Sequence, residues 1–100
     1  MSFDPGALEA ALAAAVGDDP SLVADLRHAF LDSASRQIDL LERARCDANW
    51  RLAAYRLKGL AASFGVTGMM ALATEAADAA PGDPRILRQL KSALEEFALQ

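Results

Sequence analysis

The sequence predicts an all-α fold, an antiparallel up-down four-helix bundle with a short additional N-terminal helix. Alanine and leucine are abundant and β-branched residues are few, which favours helix over strand. Three Asp-Pro pairs divide the chain, and each is typical of an N-cap followed by proline at the first helical position. Short connections between long helices favour antiparallel neighbours. We expect a single domain over residues 1–100, because a chain of this length holds one core.

The first two helices are delimited by these signals. Asp4-Pro5 predicts the start of a short helix over residues 5–16, which Gly17 is expected to end. Asp19-Pro20 begins a long helix over residues 20–45, which the segment 47–49 breaks. The residues at helical spacing in the long helix, and so its predicted core side, are Leu22, Leu26, Ala29, Phe30, Ser33, Leu40, Leu41 and Ala44.

Three further helices complete the predicted bundle. The third covers residues 49–64 and ends at Gly65, and Thr67 is expected to cap a fourth over residues 67–80. The segment 81–84, Pro-Gly-Asp-Pro, is a firm break. The last helix covers residues 84–99, and its apolar stripe consists of Ile86, Leu87, Leu90, Leu94 and Phe97.

Composition and charge exclude several classes of function. The formal net charge of −4 argues against a general nucleic-acid binder, because phosphate neutralisation needs clustered cations. A single cysteine and a single histidine exclude a disulfide framework and the common metal motifs, so we expect no metal or cofactor. Cys46 is interpreted as an incidental free thiol and His28 as a surface residue. Without a nucleophile–base pair or a phosphate loop, we expect no catalytic site and hence no enzyme.

Targeting signals and membrane spans are not expected in this sequence. The longest stretch without a charged residue, 59–74, is shorter than the roughly 20 residues that a span needs. The start of the chain lacks the basic and apolar regions of a signal peptide. We therefore expect a cytoplasmic protein without membrane contact.

The third helix departs from a plain bundle helix on its outer side. At about 100° per residue, its core stripe consists of Trp50, Ala53, Leu57, Leu60, Ala61 and Phe64. Opposite to this stripe the sequence places Tyr55, Lys58, Gly59 and Ala62. A helix-interior glycine costs roughly 1 kcal/mol relative to alanine. Either another helix of this chain packs closely on Gly59, or the surface of a partner does.

Charge on the same helix leaves a second alternative open. No acidic residue occurs over residues 48–74, whereas Arg51, Arg56 and Lys58 do. These cations either form ordinary surface ion pairs with Glu42 or Asp39, or they attract an acidic partner.

The segment from Tyr55 to Gly65 resembles the signature of the histidine phosphotransfer (HPt) domains of bacterial phosphorelays. That signature reads His-x-Leu-Lys-Gly, followed by a small residue, an apolar residue and a glycine at the helix end. The matching positions here are Leu57, Lys58, Gly59, Ala61, Phe64 and Gly65. The resemblance implies a helical bundle whose lysine and following glycine form the surface that a receiver domain approaches.

Tyr55 stands where the family has its phosphoacceptor histidine, and this difference changes the expected chemistry. A phenol, with a reference pKa near 10, is a weak nucleophile without a base, and no His, Asp or Glu lies within one turn of Tyr55 on this helix. His28 is expected about 18 Å away along the helix axis. Phosphoacceptor function is therefore not assigned to Tyr55.

The resulting hypothesis is a pseudo-HPt protein that binds the receiver domain of a response regulator or of a hybrid histidine kinase without relaying phosphate. We expect it to be a monomer whose partner-binding residues are Arg51, Tyr55, Arg56, Lys58, Gly59 and Ala62. One alternative is a working phosphorelay member with another acceptor, or a His-to-Tyr variant of one. A second alternative is a homodimerisation or scaffold module that pairs through Gly59 and Ala62.

Overall fold

A computed structural model describes residues 19–99, and over this range the chain forms four helices and no strand. The helices are α1 (Pro20–Arg43), α2 (Asp47–Phe64), α3 (Thr67–Asp78) and α4 (Pro84–Ala98). The predicted all-helical class is confirmed for these residues. The additional helix predicted over residues 5–16 lies outside the described residues.

Two of the helices begin at the predicted aspartate caps. The side chain of Asp19 accepts hydrogen bonds from the backbone N–H groups of Ser21 and Leu22, at 3.0 and 3.2 Å. The side chain of Asp83 accepts one from the backbone N–H of Arg85, at 2.9 Å. The prediction that Thr67 caps the next helix is wrong, because Val66 is the N-cap and Thr67 is the first helical residue.

The connection between α1 and α2 has the predicted length of three residues but lies two residues earlier in the chain. α1 ends at Arg43, two residues before the predicted end, and α2 begins at Asp47, two residues before the predicted start. The backbone N–H of Trp50 donates to the carbonyl of Cys46 at 3.1 Å, which closes the first turn of α2. Asp47 in that turn also interacts favourably with the helix dipole.

The end of α2 is set by a left-handed glycine, as predicted. Gly65 has a φ of 71°, which glycine adopts without the steric cost that a side chain would add. Its N–H donates to the carbonyl of Ala62 at 3.2 Å, and the N–H of Val66 donates to that of Ala61 at 2.9 Å. α3 and α4 end at Asp78 and Ala98, slightly before their predicted ends.

The four helices enclose one hydrophobic core. The main contacts join α1 to α2, α2 to α3, α3 to α4 and α4 back to α1, which is compatible with an up-down bundle. The ring of Phe30 lies 5.2 Å from that of Phe64 and 5.1 Å from that of Phe97, measured between centroids. The largest fully buried side chains are Trp50, Phe30, Phe97, Leu41, Leu57, Met69, Ile86, Leu90 and Val66.

The core side of α1 differs from the predicted one. Phe30, Leu41 and Ala44 are buried as expected, together with Ala34 and Ile38, which were not predicted. The expected core residues Leu22, Ala29 and Leu40 are exposed instead, and Leu26 and Ser33 are half-buried. The buried residues follow steps of three and four along the helix, so Leu40, one residue before Leu41, is turned about 100° away from the core.

Trp50 fixes α2 against the end of α3. Its indole Nε1–H donates to the carbonyl oxygen of Ala76 at 2.6 Å, and the ring is 1% exposed. Since a buried indole N–H needs an acceptor, this bond sets the rotation of α2 about its own axis. The side of α2 opposite to Trp50 consequently faces outward.

Candidate functional site

The outward side of α2 presents small and apolar side chains between cations. Tyr55 is 54% exposed, and Gly59 and Ala62 are exposed beside it. Lys58 is half-buried. The prediction that it lies on the outward side with these residues is therefore wrong, and Lys58 lies at the margin of that side. We define the α2 face as the exposed residues Arg51, Leu52, Tyr55, Arg56, Gly59 and Ala62.

Space above Gly59 is open. A Cβ built at this position would have no heavy atom within 4 Å among the described residues. The hydroxyl of Ser63 donates a hydrogen bond to the carbonyl oxygen of Gly59 at 3.0 Å, so this carbonyl has a partner within the helix. The surface at Gly59 stays low because the residue has no side chain. The alternative that another helix packs closely on Gly59 is therefore wrong for the described part of the chain.

The cations of α2 are not neutralised by the carboxylates considered above. Asp39 pairs with Arg43 at 2.7 Å, and Glu42 pairs with Lys91 at 2.8 Å. Within residues 19–99, Arg51, Arg56 and Lys58 form no ion pair with any carboxylate. The simple ion-pair alternative is thus contradicted, and the α2 face keeps its positive charge.

Two exposed leucines, Leu52 of the α2 face and Leu40 of α1, were not predicted to be exposed. Leu52 is 48% exposed on α2, and Leu40 is 40% exposed on α1. They line an open groove of about 410 Å³ between the two helices, whose other lining residues are Arg43, Ala44, Asn49, Ala53 and Arg56. One signal was available for Leu52, since it lies about 200° from Trp50 on a helical wheel.

Tyr55, His28 and Cys46 are the potentially reactive side chains that the sequence singles out. Nothing in residues 19–99 accepts a hydrogen bond from the phenol of Tyr55, so no general base activates it there. His28 is exposed on α1, and Cys46 is an exposed free thiol at the start of α2. No group of three potential ligand side chains in this part of the chain could hold a metal ion.

Of the four described helices, none combines the length and the hydropathy needed to cross a bilayer.

No family model matches the chain, and no curated protein or solved structure matches it. Function must therefore be inferred from the α2 face itself.

Proposed function

We propose that this protein is a pseudo-HPt domain, an antiparallel up-down bundle that binds a receiver domain without relaying phosphate. The receiver would belong to a response regulator or a hybrid histidine kinase in the cytoplasm. The single observation that carries the proposal is the α2 face, where exposed Tyr55 and open Gly59 lie between cations that have no ion-pair partner within residues 19–99. This face coincides with the segment that resembles the HPt signature.

Charge supports an acidic partner. The whole chain carries a net charge of −4, yet Arg51, Arg56 and Lys58 are concentrated on one helix and form no ion pair within residues 19–99. The phosphorylation pocket of a receiver domain is acidic. Complementary charges of this kind accelerate encounter and fix the relative orientation of two proteins.

Shape supports close approach at the same place. Gly59 has no side chain, and Ala62 has a small one, so a partner's loops can reach the α2 backbone. Tyr55 beside them is large, stiff and amphipathic, properties that binding hot spots favour. The phenol brings contact area to a position where the HPt family has its reactive imidazole.

A symmetric homodimer through this face is less favourable. Two copies related by a twofold axis would bring the cations of the α2 face opposite each other, since an isologous interface uses the same patch on both subunits. Like charges brought together at an interface cost free energy. Charge therefore favours a different, acidic protein as the partner.

An NMR titration tests the proposal directly. The ¹⁵N-labelled protein is titrated with the receiver domains encoded in the same genome, each unphosphorylated and activated with beryllofluoride. We expect shift changes confined to α2 and its margins, with the indole signal of Trp50 unchanged because that ring is buried on the opposite side.

Two outcomes would count against the proposal. Shift changes centred on α3 or α4 would mean that the receiver binds away from the α2 face. The absence of any shift change with every receiver would contradict the proposed function. A mass that rises with concentration in the absence of a receiver would favour the homodimer instead.

A further inference from the structure

The first part of α1 extends beyond the end of the neighbouring helix α2. The ring of Phe30 in α1 lies 5.2 Å from that of Phe64, the last residue of α2, and 5.1 Å from that of Phe97 near the end of α4. α3 begins at Thr67, just after the end of α2. The part of α1 before Phe30 therefore extends about 15 Å past the level at which α2 ends. We define residues 20–29 as the α1 overhang.

An apolar stripe runs along the α1 overhang. Leu22, Leu26 and Ala29 lie within about 60° of one another on a helical wheel. Leu22 is 43% exposed, Ala29 is exposed and Leu26 is half-buried. Leu40, five full turns after Leu22, points in the same direction and lines the groove between α1 and α2. The stripe consequently lies on the α2 side of α1, at a level where α2 has already ended.

The hydrophobic core reaches this end of the bundle. Val66 lies between α2 and α3 and Phe97 lies in the last turn of α4, yet both are completely buried. Arg27 of the overhang donates a hydrogen bond to the carbonyl oxygen of Phe97, and its guanidinium carbon lies 5.0 Å from the centroid of that ring. Apolar side chains that pack on the stripe would therefore join the core rather than form a separate cluster.

The segment that precedes α1 has the length and the character to cover the stripe. Residues 5–16, over which the sequence predicts a helix, are small or apolar except for Glu9. A helix of these residues measures about 18 Å, close to the length of the overhang. Residues 17–19 join it to α1, and so short a connection favours two helices that lie side by side and antiparallel.

The spacing of the segment complements that of the stripe. From Leu8 the positions on one side of the predicted helix follow steps of three and four residues, and from Ala29 backwards the stripe follows the same two steps. Each resulting pair joins one leucine to one alanine, and a large side chain opposite a small one permits close packing of two helices. The pairs are Leu8 with Ala29, Ala11 with Leu26, and Ala15 with Leu22.

We propose that residues 5–16 pack as a fifth helix against the apolar stripe of the α1 overhang in the same chain. The segment then continues the row of α2 beyond its end and covers the core there. The inference goes beyond the proposed function and does not rest on it. Tyr55 lies nine residues before the end of α2, about 14 Å along the helix axis, so the covered end is separate from the phenol.

Disulfide trapping tests which residues face each other. Cys46→Ser first removes the exposed free thiol. In this background Leu8→Cys is combined with Ala29→Cys, and the matched control combines Ala10→Cys with Ala29→Cys, because Ala10 lies about 200° from Leu8 on the wheel. With oxidised glutathione the first pair should cross-link within one chain roughly tenfold faster than the control, since a disulfide needs Cα atoms within about 7 Å.

Matched glutamine variants test whether the packing stabilises the fold. Leu8→Gln should lower the melting temperature by roughly 5–10 °C, because a polar side chain replaces a leucine packed on the stripe. Ala10→Gln places the same side chain on the opposite side and should shift the melting temperature by less than about 2 °C. Amide hydrogen exchange over residues 20–29 should become faster in Leu8→Gln and stay unchanged in Ala10→Gln.

Three results would overturn the inference. Equal cross-linking rates for the two cysteine pairs would mean that Leu8 does not face Ala29. Equal melting temperatures for Leu8→Gln and Ala10→Gln would mean that neither side of the segment is packed. Cross-links that join two chains instead of one would show that the stripe is covered by a second copy. None of these measurements contains a receiver, so they are independent of the test of the proposed function.

Discussion

Substitution of Gly59 with glutamine should stabilise the protein and at the same time weaken its binding to a receiver domain. A Cβ at this position has no heavy atom within 4 Å among the described residues, so no steric clash there opposes the change. Glutamine is a good helix former and glycine a poor one, and the exchange should contribute about 0.5–1 kcal/mol to stability. For a domain of this size the melting temperature should rise by about 2–8 °C.

The same side chain should interfere with docking. Glutamine would stand above the low surface between Tyr55 and Ala62 and hold a partner's loops away from the α2 backbone. We expect the Kd for the receiver to rise roughly tenfold, which corresponds to about 1.4 kcal/mol. Gly59→Ala is the matched control: it gains at least as much helix propensity, adds only one methyl group and should weaken binding much less.

Thermal unfolding by circular dichroism and receiver affinity by calorimetry are measured on the same samples. A lower melting temperature for both variants would mean that Gly59 makes room for another part of this chain. A higher melting temperature with unchanged affinity for the receiver would show that Gly59 does not take part in binding. Only a stable variant with weak binding agrees with the proposal.

Four further predictions concern the chemistry and stability of α2. Incubated with a phosphorylated receiver, or with a histidine kinase and labelled ATP, the protein should gain no acid-labile phosphate, and a labelled His28 would contradict this. Tyr55→His should place an imidazole on the exposed face, and some acid-labile phosphate should then appear; a folded variant that stays unlabelled would show that more than the acceptor is missing. Lys58→Glu should lower the association rate with the receiver, as seen by stopped flow at low salt, whereas an unchanged rate would exclude a role in steering. Trp50→Phe should lower the free energy of unfolding, measured in urea, by about 2–3 kcal/mol, because the hydrogen bond to Ala76 and part of a buried ring are lost. A loss below about 1 kcal/mol would show that this hydrogen bond contributes little to stability.

Local signals made most of the helix boundaries predictable. An aspartate before a proline can satisfy free N–H groups by itself, and Asp19 and Asp83 do so. Gly65 ends α2 because a left-handed residue allows the last carbonyls to be paired within the turn. Thr67 was predicted as a cap from its type alone, but the backbone turn at Gly65 places Val66 at that position instead.

Packing between helices was less accessible from sequence. α1 has leucines and alanines on several sides, so its pattern does not define which side is buried. The neighbours decide it: Phe30 meets Phe64 and Phe97, and this contact turns Leu40 outward. The groove between α1 and α2 depends on the rotation of both helices, which is why its two leucines were not recognised as a site.

The site itself was predictable where one helix determines it. Exposure of Tyr55, Gly59 and Ala62 follows from the position of Trp50 and a 3.6-residue period, and all three are exposed. Lys58 is less exposed than these three residues because it lies nearer to Trp50 on the helical wheel. The sequence could not show whether the cations of α2 pair with Asp39 and Glu42, because that depends on where these two carboxylates point. Asp39 pairs with a residue of α1 and Glu42 with a residue of α4.

Under the proposed function, docking and phosphotransfer make separate demands on α2, so that a chain without the transfer chemistry could still dock. Docking needs an open backbone at Gly59, a stiff side chain at position 55 and cations free to meet acidic groups. Transfer needs, in addition, a nucleophile whose phosphorylated form is energetic enough to pass the group on. The phenol of Tyr55 has no acceptor for its proton within the described chain, so it lacks the activation that transfer requires. The same exposed phenol can still supply contact area and a hydrogen bond to a partner, because an interface requires neither a low pKa nor an adjacent base.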